Sequence, residues 1–219
     1  TWFIGPNGGQ LQVNAITFSA DSIYAATSTG LYTAGRNSPN LTAFTSWRKR
    51  TDMGDGMANG PFDLAQTFQG HPFINFRKTS DDTDTVLVLR PDNTWQRFSQ
   101  IQGRRNHDMR VSADGQFIVF SHEYDIGTFG PNEQFISQTT AYGSVPAIPA
   151  RSIRSSNGYL WVADRFAGLA RADGGELGTT VRPNGPLNAS VYRMDSRGGA
   201  VYVAAGSPSG NWGNTFLKD

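Results

Sequence analysis

The sequence predicts an all-β protein, a β-propeller built from four-stranded antiparallel blades. A turn followed by an apolar strand core recurs five times, and the cores begin at residues 23, 73, 117, 160 and 201, in steps of 50, 44, 43 and 41. This spacing is typical of a propeller blade. No segment shows a convincing helical period over about 11 residues. The 25 glycines and 11 prolines among 219 residues provide the many turns that short strands need.

The recurring core is interpreted as an inner strand of each blade. Such a strand is covered on both faces and therefore reads as a nearly continuous apolar run. The preceding turn supplies residues that accept a positive φ, as Asp-Gly does at 114–115 and Asn-Gly at 157–158. The five cores are residues 23–26, 73–76, 117–120, 160–163 and 201–204.

Further strands are predicted around each core. An apolar stretch before every turn is predicted to be the first strand of the blade, and a third strand follows three of the cores. A fourth, half-exposed strand is predicted at 47–50 and 95–98, where polar and apolar residues alternate. Residues 2–4 match that last position, so residues 1–4 are assigned to the outer strand of a preceding or closing blade. The predicted blades cover approximately residues 13–52, 60–100, 105–140, 150–183 and 188–219.

Two alternatives concern the architecture. A β-sandwich also has closely spaced strands, but it would not repeat one turn and core five times. The five repeats either close into a five-bladed ring or belong to a larger ring. Because Leu217–Asp219 end without a turn or cap, and the chain opens at Thr1 without an initiator Met, we expect a piece of a larger ring.

Composition narrows the function classes. The net charge of +1 gives no general attraction to nucleic acid, so a nucleic-acid partner is not expected. The absence of cysteine excludes disulfides, thiolate metal sites and a cysteine nucleophile. No apolar run approaches the roughly 18 residues that a membrane span requires, so no transmembrane segment is predicted in this chain.

Several stretches resemble a known group of bacterial propellers. Ser22–Tyr32 and Asn157–Arg165 are similar to blades of the two-component-regulator type, and Pro183–Pro186 with Val191–Arg193 narrow the match. Together they look most like the propeller region of PorZ-like proteins of the type IX secretion system in Bacteroidetes.

That resemblance implies a non-enzymatic interaction platform on the extracellular face of the outer membrane. Its partners would be other proteins of the secretion or attachment complex, together with anionic lipopolysaccharide. One alternative is the periplasmic ligand-sensing propeller of a hybrid two-component regulator. A second is a propeller glycan hydrolase, which would need Arg and Asp or Glu side chains that converge on the channel mouth.

Arginines in the loops between blades are the candidate contacts. Arg104, Arg105 and His107 connect one blade to the next, and Arg151 and Arg154 are expected in the corresponding region one blade later. Paired guanidinium groups suit phosphate or carboxylate on a partner or an anionic glycan. Solvated loop charge is the competing interpretation.

No catalytic residue, cofactor or metal site is predicted. His71 is read as a surface turn residue, and the run Asp81–Asp84 as a solvated loop, because it lacks the glycine and closing Glu of a calcium loop. His122, Glu123 and Asp125 follow a strand core. Because adjacent strand residues point to opposite faces, His122 is expected to share its face with Tyr124 rather than with Asp125.

Overall fold

The computed structural model describes residues 3–54, 56–78, 83–101, 103–172, 178–181, 191–197, 200–205, 207–208 and 214–215, with side chains up to residue 181. The chain divides into a first unit, Thr1–Val181, and a second unit, Arg182–Asp219. No helix of the described residues is long and apolar enough to cross a membrane.

The first unit contains four antiparallel four-stranded sheets, called blades 1 to 4, in each of which the strands pair in chain order. Blade 1 comprises β1 (Val13–Phe18), β2 (Ser22–Thr27), β3 (Gly30–Gly35) and β4 (Arg48–Lys49). Blade 2 comprises β5 (Phe62–Phe68), β6 (His71–Arg77), β7 (Asp84–Leu89) and β8 (Trp95–Arg97). Blade 3 comprises β9 (Asn106–Val111), β10 (Ile118–His122), β11 (Ile126–Phe129) and β12 (Phe135–Thr139).

A two-stranded hairpin, β13 (Ala141–Tyr142) with β14 (Val145–Pro146), precedes blade 4. Blade 4 comprises β15 (Pro149–Arg154), β16 (Leu160–Asp164), β17 (Gly168–Ala172) and β18 (Gly178–Val181). The second unit holds two pairs, β19 (Val191–Arg197) with β20 (Ala200–Ala205) and β21 (Ser207–Pro208) with β22 (Asn214–Thr215). Five short 3-10 turns complete the described elements: Pro6–Gly8, Phe44–Ser46, Met57–Asn59, Ser99–Ile101 and Pro131–Glu133. The predicted all-β fold class is confirmed.

The apolar cores lie in the second strands, β2, β6, β10, β16 and β20, as the pattern predicted. The first residues of the five predicted cores do not all occupy the same register position. Ile23, Ile118 and Leu160 each pair with the last residue of the preceding strand. Phe73 instead pairs with Gln66, two residues before the end of β5, and Phe117 lies just before β10. The strands are therefore equivalent, although two of the residues used to align them are not.

Successive blades of the first unit pack face to face. The first strands lie beside one another in the order β1, β5, β9 and β15, so they form the inner side of the stack. An apolar core fills each of the three interfaces between neighbouring blades, and the one between blades 2 and 3 is rich in phenylalanine. Two hydroxyl pairs also bridge blades: Thr17 with Thr67 at 2.8 Å, and Ser121 with Ser152 at 2.9 Å.

A β-bulge recurs at the second residue of every first strand. The bulged residues are Asn14, Asp63, His107, Ala150 and Tyr192. A bulge adds an unpaired residue and increases the local twist. Its recurrence at one register position in five sheets shows that the sheets are structural repeats. We call the edge of the first unit that carries these bulges, together with the turns between second and third strands, the bulge edge. The other edge, with the turns between first and second strands, is the far edge.

Candidate functional site

The five candidate residues do not form one group. Arg104, Arg105 and His107 lie together at the bulge edge, immediately before and within β9. Arg154 lies at the far edge, with its guanidinium 4.2 Å from the centre of the Phe117 ring.

Arg151 is an exposed residue within β15. By register Pro149 is the equivalent of Asn106, so Arg151 corresponds to Asp108. The expectation that Arg151 and Arg154 lie in the region corresponding to Arg104 and Arg105 is therefore wrong.

Arg104 holds the tight turn between β10 and β11. Its Nη1 donates to both carboxylate oxygens of Asp125 at 2.5 Å. The backbone N–H of His122 donates to the carbonyl of Asp125 at 2.8 Å, which closes the turn. Burial raises the pKa of Asp125, and the neighbouring Arg104 opposes that rise. Arg104 is thus committed largely to the fold, although its side chain remains partly exposed.

The expectation about the faces of His122 and Asp125 is also wrong. The chain reverses at Glu123 and Tyr124 instead of continuing as a strand, so alternation does not apply there. As a result His122 Nε2 lies 3.7 Å from Asp125 Oδ1. Among the described residues, no cluster of three or more His, Asp or Glu side chains could hold a metal ion.

A chain of buried hydrogen bonds runs beneath the bulge edge from blade 3 to blade 2. His122 Nδ1 donates to Asn106 Oδ1 at 2.7 Å, and Asn106 Nδ2 donates to Asn75 Oδ1 at 2.8 Å. Asn75 Nδ2 donates in turn to Asp63 Oδ1 at 2.8 Å and to Asp84 Oδ2 at 3.2 Å. Because the carboxylates at the end of this series only accept hydrogen bonds, the orientation of each side-chain amide is fixed. These hydrogen bonds therefore fix blade 2 against blade 3.

Two titratable groups of this hydrogen-bonded chain, His122 and Asp84, have pKa values shifted toward their neutral forms. Burial lowers the pKa of His122 to about 3, and the nearby Arg104 and His107 act in the same direction. Burial raises the pKa of Asp84, against the hydrogen bond from the Asn106 backbone N–H. His122 is therefore neutral at pH 7, and its function in the fold is to donate one hydrogen bond.

The pKa of His107 responds to charged side chains of three blades. Burial lowers its pKa most, followed by the positive charges of Arg165 and Arg77, whereas Glu123 raises it. Arg77 belongs to blade 2, Glu123 to blade 3 and Arg165 to blade 4. Charges carried by three blades at the bulge edge consequently act on one imidazole.

Two aromatic side chains project from the same edge. Phe166 is 82% exposed and Tyr124 is 65% exposed, which makes them the most exposed large apolar side chains of the described residues. The turn that carries Phe166 is fixed, because Asp164 Oδ1 accepts hydrogen bonds from the backbone N–H groups of Phe166 and Ala167 at 2.9 and 2.8 Å. We call Arg105, His107, Tyr124, Arg165 and Phe166 the aromatic–arginine surface.

Sequence reasoning selected only Arg105 and His107 of this surface. It did not select Phe166 or Tyr124, although each is a large aromatic residue in a turn between two strands, where packing does not require one. The signal was present in the letters Asp-Arg-Phe-Ala-Gly at 164–168 and His-Glu-Tyr-Asp at 122–125. Aromatic rings with nearby guanidinium groups suit recognition of a partner that has apolar and acidic groups.

The remaining sequence candidates have structural partners. His71 is half-buried at the start of β6, and its Nδ1 donates to the Leu89 carbonyl at 3.1 Å. Asp84 is buried in β7, so it is not part of a solvated loop, whereas residues 81 and 82 lie outside the described residues.

Comparisons with known proteins support the fold. No protein-family model and no curated protein matches this chain. Among solved structures, PorZ, a surface component of the type IX secretion system of Porphyromonas gingivalis, matches 90% of this chain with 15% identity and a TM-score of 0.57. The extracellular domain assigned to a hybrid two-component system of B. thetaiotaomicron matches 91% with 13% identity and a TM-score of 0.57.

YCF48, solved with a bound peptide, matches 93% of this chain with 14% identity and a TM-score of 0.55. A luciferin-regenerating enzyme matches 78% with 12% identity and a TM-score of 0.53, so similar folds include an enzyme. The chain spans 25% of PorZ, 27% of the two-component domain and 64% of YCF48. At these identities the matches show a β-propeller-like fold and do not assign a function.

Proposed function

We propose that this chain is a non-enzymatic interaction platform, comparable to the propeller part of a PorZ-like component of an outer-membrane attachment complex. The observation that carries the proposal is the aromatic–arginine surface, where two fixed turns present Tyr124 and Phe166 to solvent beside exposed arginine. Exposed aromatic residues of this kind contribute strongly to protein interfaces.

Binding is favoured over catalysis because the titratable side chains beneath this surface are bonded within the fold and covered, with His122 only 2% and Asp84 only 3% exposed. Asp125 accepts from Arg104, Asp84 accepts from Asn75, and His122 donates to Asn106. A general base needs a free lone pair within reach of a substrate proton. The hydrogen bonds of Asp125, Asp84 and His122 instead stabilise the turns that form this surface.

The partners we propose are proteins of the same outer-membrane complex, on the extracellular face of the membrane. Anionic lipopolysaccharide is proposed as a further contact, through the guanidinium groups of Arg105 and Arg165. Since those contacts would be electrostatic, lipopolysaccharide binding should weaken as salt concentration increases.

The test is quantitative co-purification from outer-membrane extracts with the double variant Tyr124→Ser/Phe166→Ser. We expect unchanged thermal stability and at least a tenfold loss of partner recovery, about 1.4 kcal/mol, because both side chains contact solvent in the free protein. Phe135→Ser, on the exposed outer strand β12, is the matched control and should retain the partner. Equal recovery with all three proteins would refute the proposal.

A ligand-sensing propeller of a hybrid two-component regulator is the second candidate, favoured by the match to an extracellular domain of such a system. The full-length gene separates the two candidates. A membrane-spanning helix and a kinase encoded downstream would favour the sensor, and an outer-membrane complex recovered intact would favour the platform.

A further inference from the structure

A polar cleft of about 670 Å³ opens at the far edge, between blades 1 and 2. Its walls come from the turn before β2, the strand β3, residues around β4, the turn before β6 and the turn after β7. Five hydroxyl side chains line it: Ser19, Ser22, Tyr24, Thr33 and Ser46. A cavity of this volume accommodates a small organic ligand.

Three guanidinium groups line the same cleft, those of Arg48, Arg50 and Arg90. Arg50 is only 7% exposed, and its Nε and Nη2 donate to the two carboxylate oxygens of Asp52 at 2.8 and 2.5 Å. Its guanidinium also lies 5.6 Å from the Trp95 ring centre. The Asp52 hydrogen bond raises the pKa of Arg50, so the group stays charged.

Arg90 is fixed in a comparable way from the other side. Its Nη2 donates to Glu133 Oε2 at 3.0 Å, its Nη1 donates to Glu133 Oε1, and its Nε donates to Gln96 at 3.1 Å. Glu133 belongs to blade 3, so two blades hold this side chain. A guanidinium carries five N–H groups, and these bonds leave some of them for a ligand.

Arg48 completes the set from β4, paired in register with Thr33 of β3. Its side chain is exposed, in contrast to the buried Arg50. Arg48 is therefore the guanidinium that a ligand can contact without displacing an internal partner carboxylate.

Positive charges outnumber negative charges in the lining of the cleft, with three arginines and one carboxylate among the described residues. Asp21 is its only carboxylate among the described residues, and that group already accepts from the hydroxyls of Ser19 and Ser22 at 3.2 and 3.1 Å. His71 also lines the cleft; because its Nδ1 donates to a carbonyl, its Nε2 accepts from a hydroxyl when the ring is neutral. A ligand with a carboxylate and several hydroxyl groups would match both features.

We propose that this cleft binds a hydroxylated carboxylic acid of the size of a disaccharide, with the carboxylate on Arg48 and the hydroxyls on the Ser, Thr and His71 side chains. The site lies at the edge opposite the aromatic–arginine surface and does not depend on the proposed platform function.

The test is calorimetric titration of the protein with a galacturonate disaccharide and with the neutral galactose disaccharide. We expect saturable binding of the acid, and binding of the neutral sugar weaker by about tenfold or more. Equal binding of both sugars, or of neither, would overturn the proposal. Inorganic phosphate that competes as strongly as the acid would also overturn it, since recognition would then rest on charge alone.

Variants locate the site. Arg48→Gln, a change at an exposed residue, should lower affinity for the acid about tenfold, and Arg48→Lys should lower it less because the charge remains. Arg97→Gln, at another exposed arginine on β8, is the matched control and should bind normally. The Tyr124→Ser/Phe166→Ser protein should also bind the acid normally, so failure here and failure of the platform function are distinguishable. Normal binding by Arg48→Gln would refute the assignment.

Discussion

At the scale of single residues, His122 shows how strongly burial determines the chemistry of a side chain. It is 2% exposed, donates from Nδ1 to Asn106, and has its Nε2 facing the Asp125 carboxylate at 3.7 Å without a hydrogen-bond partner. A protonated imidazole would place a charge beside Arg104 in a site with little water. The fold therefore favours the neutral ring.

The buried His122 should make the protein less stable as the pH falls. The unfolded chain binds a proton at the ordinary histidine pKa of about 6.5, whereas the folded protein does so only at about 3. Between these values the unfolded state binds more protons, so stability that is present above pH 6.5 is lost toward pH 3, by a total on the order of 5 kcal/mol.

Urea unfolding of the native protein and of His122→Gln at pH 7, 5.5 and 4.5 measures this effect. Glutamine can donate to Asn106 but does not titrate, so the native protein should lose its advantage over the variant as the pH falls. The raised pKa values of Asp84 and Asp125 stabilise the folded protein as the pH falls. Because both residues are present in both proteins, this effect does not change the difference between them. A difference between the two proteins that is independent of pH would contradict the lowered pKa.

At the scale of strands, the start of β9 couples blade 2 to blade 3. Asn106 is fully buried, accepts from His122, donates to Asn75, and its backbone N–H donates to Asp84 Oδ2 at 2.8 Å. Arg77 of blade 2 donates to the Asn106 carbonyl at 2.6 Å. One residue therefore satisfies polar groups from three strands.

Asn106→Ala should destabilise the protein by roughly 2 to 5 kcal/mol, because Asn75 Oδ1 and His122 Nδ1 would both remain buried without partners. Urea unfolding at pH 7 measures the change. Gln134→Ala, at an exposed position of the same blade, is the control and should change stability by less than about 0.5 kcal/mol. Equal effects of the two substitutions would mean that the polar chain does not stabilise the interface between the blades.

Sequence reasoning identified the second strands well, since continuous apolar runs such as those of β2 and β16 report burial on both faces. It did not identify β11, because the turn before it is short and Ile126–Phe129 follows the charged residues Glu123 and Asp125. The recurrent bulge left no pattern in residue type, since Asn14, His107 and Ala150 share only a register position. The candidate site was found only in part, because only that register shows that Arg151 corresponds to Asp108 and not to Arg104.

At the scale of the first unit, stability comes from contacts between neighbouring repeats. Three of the apolar cores each join two consecutive blades, so these blades bury their facing surfaces together. Hydroxyl pairs and the polar chain from His122 to Asp84 specify the relative position of the blades. The interfaces between blades therefore fix the positions of the sheets that carry the exposed turns at both edges.

The aromatic cluster between blades 2 and 3 allows a test of stabilisation by the interfaces between neighbouring blades. Phe120 of blade 3 is fully buried, stacks on Phe98 with ring centres 5.8 Å apart, and lies 6.5 Å from Phe73 of blade 2 and 5.7 Å from Phe129. Phe120→Ala should cost about 3 to 5 kcal/mol of unfolding free energy, because it leaves a cavity at the interface between blades 2 and 3.

Hydrogen exchange should show where the loss from Phe120→Ala occurs. In a stack stabilised by nearest-neighbour interfaces, amide protection should fall most in β6, β7, β10 and β11 and least in β2 and β3, which pack through the separate core between blades 1 and 2. Phe166→Ala, at an exposed turn residue of blade 4, is the control and should leave protection nearly unchanged. If protection instead falls by the same free energy in all four blades, the first unit unfolds as one cooperative body. The aromatic–arginine surface and the far-edge cleft would then unfold together in one step. They would not unfold separately with the blades that carry them.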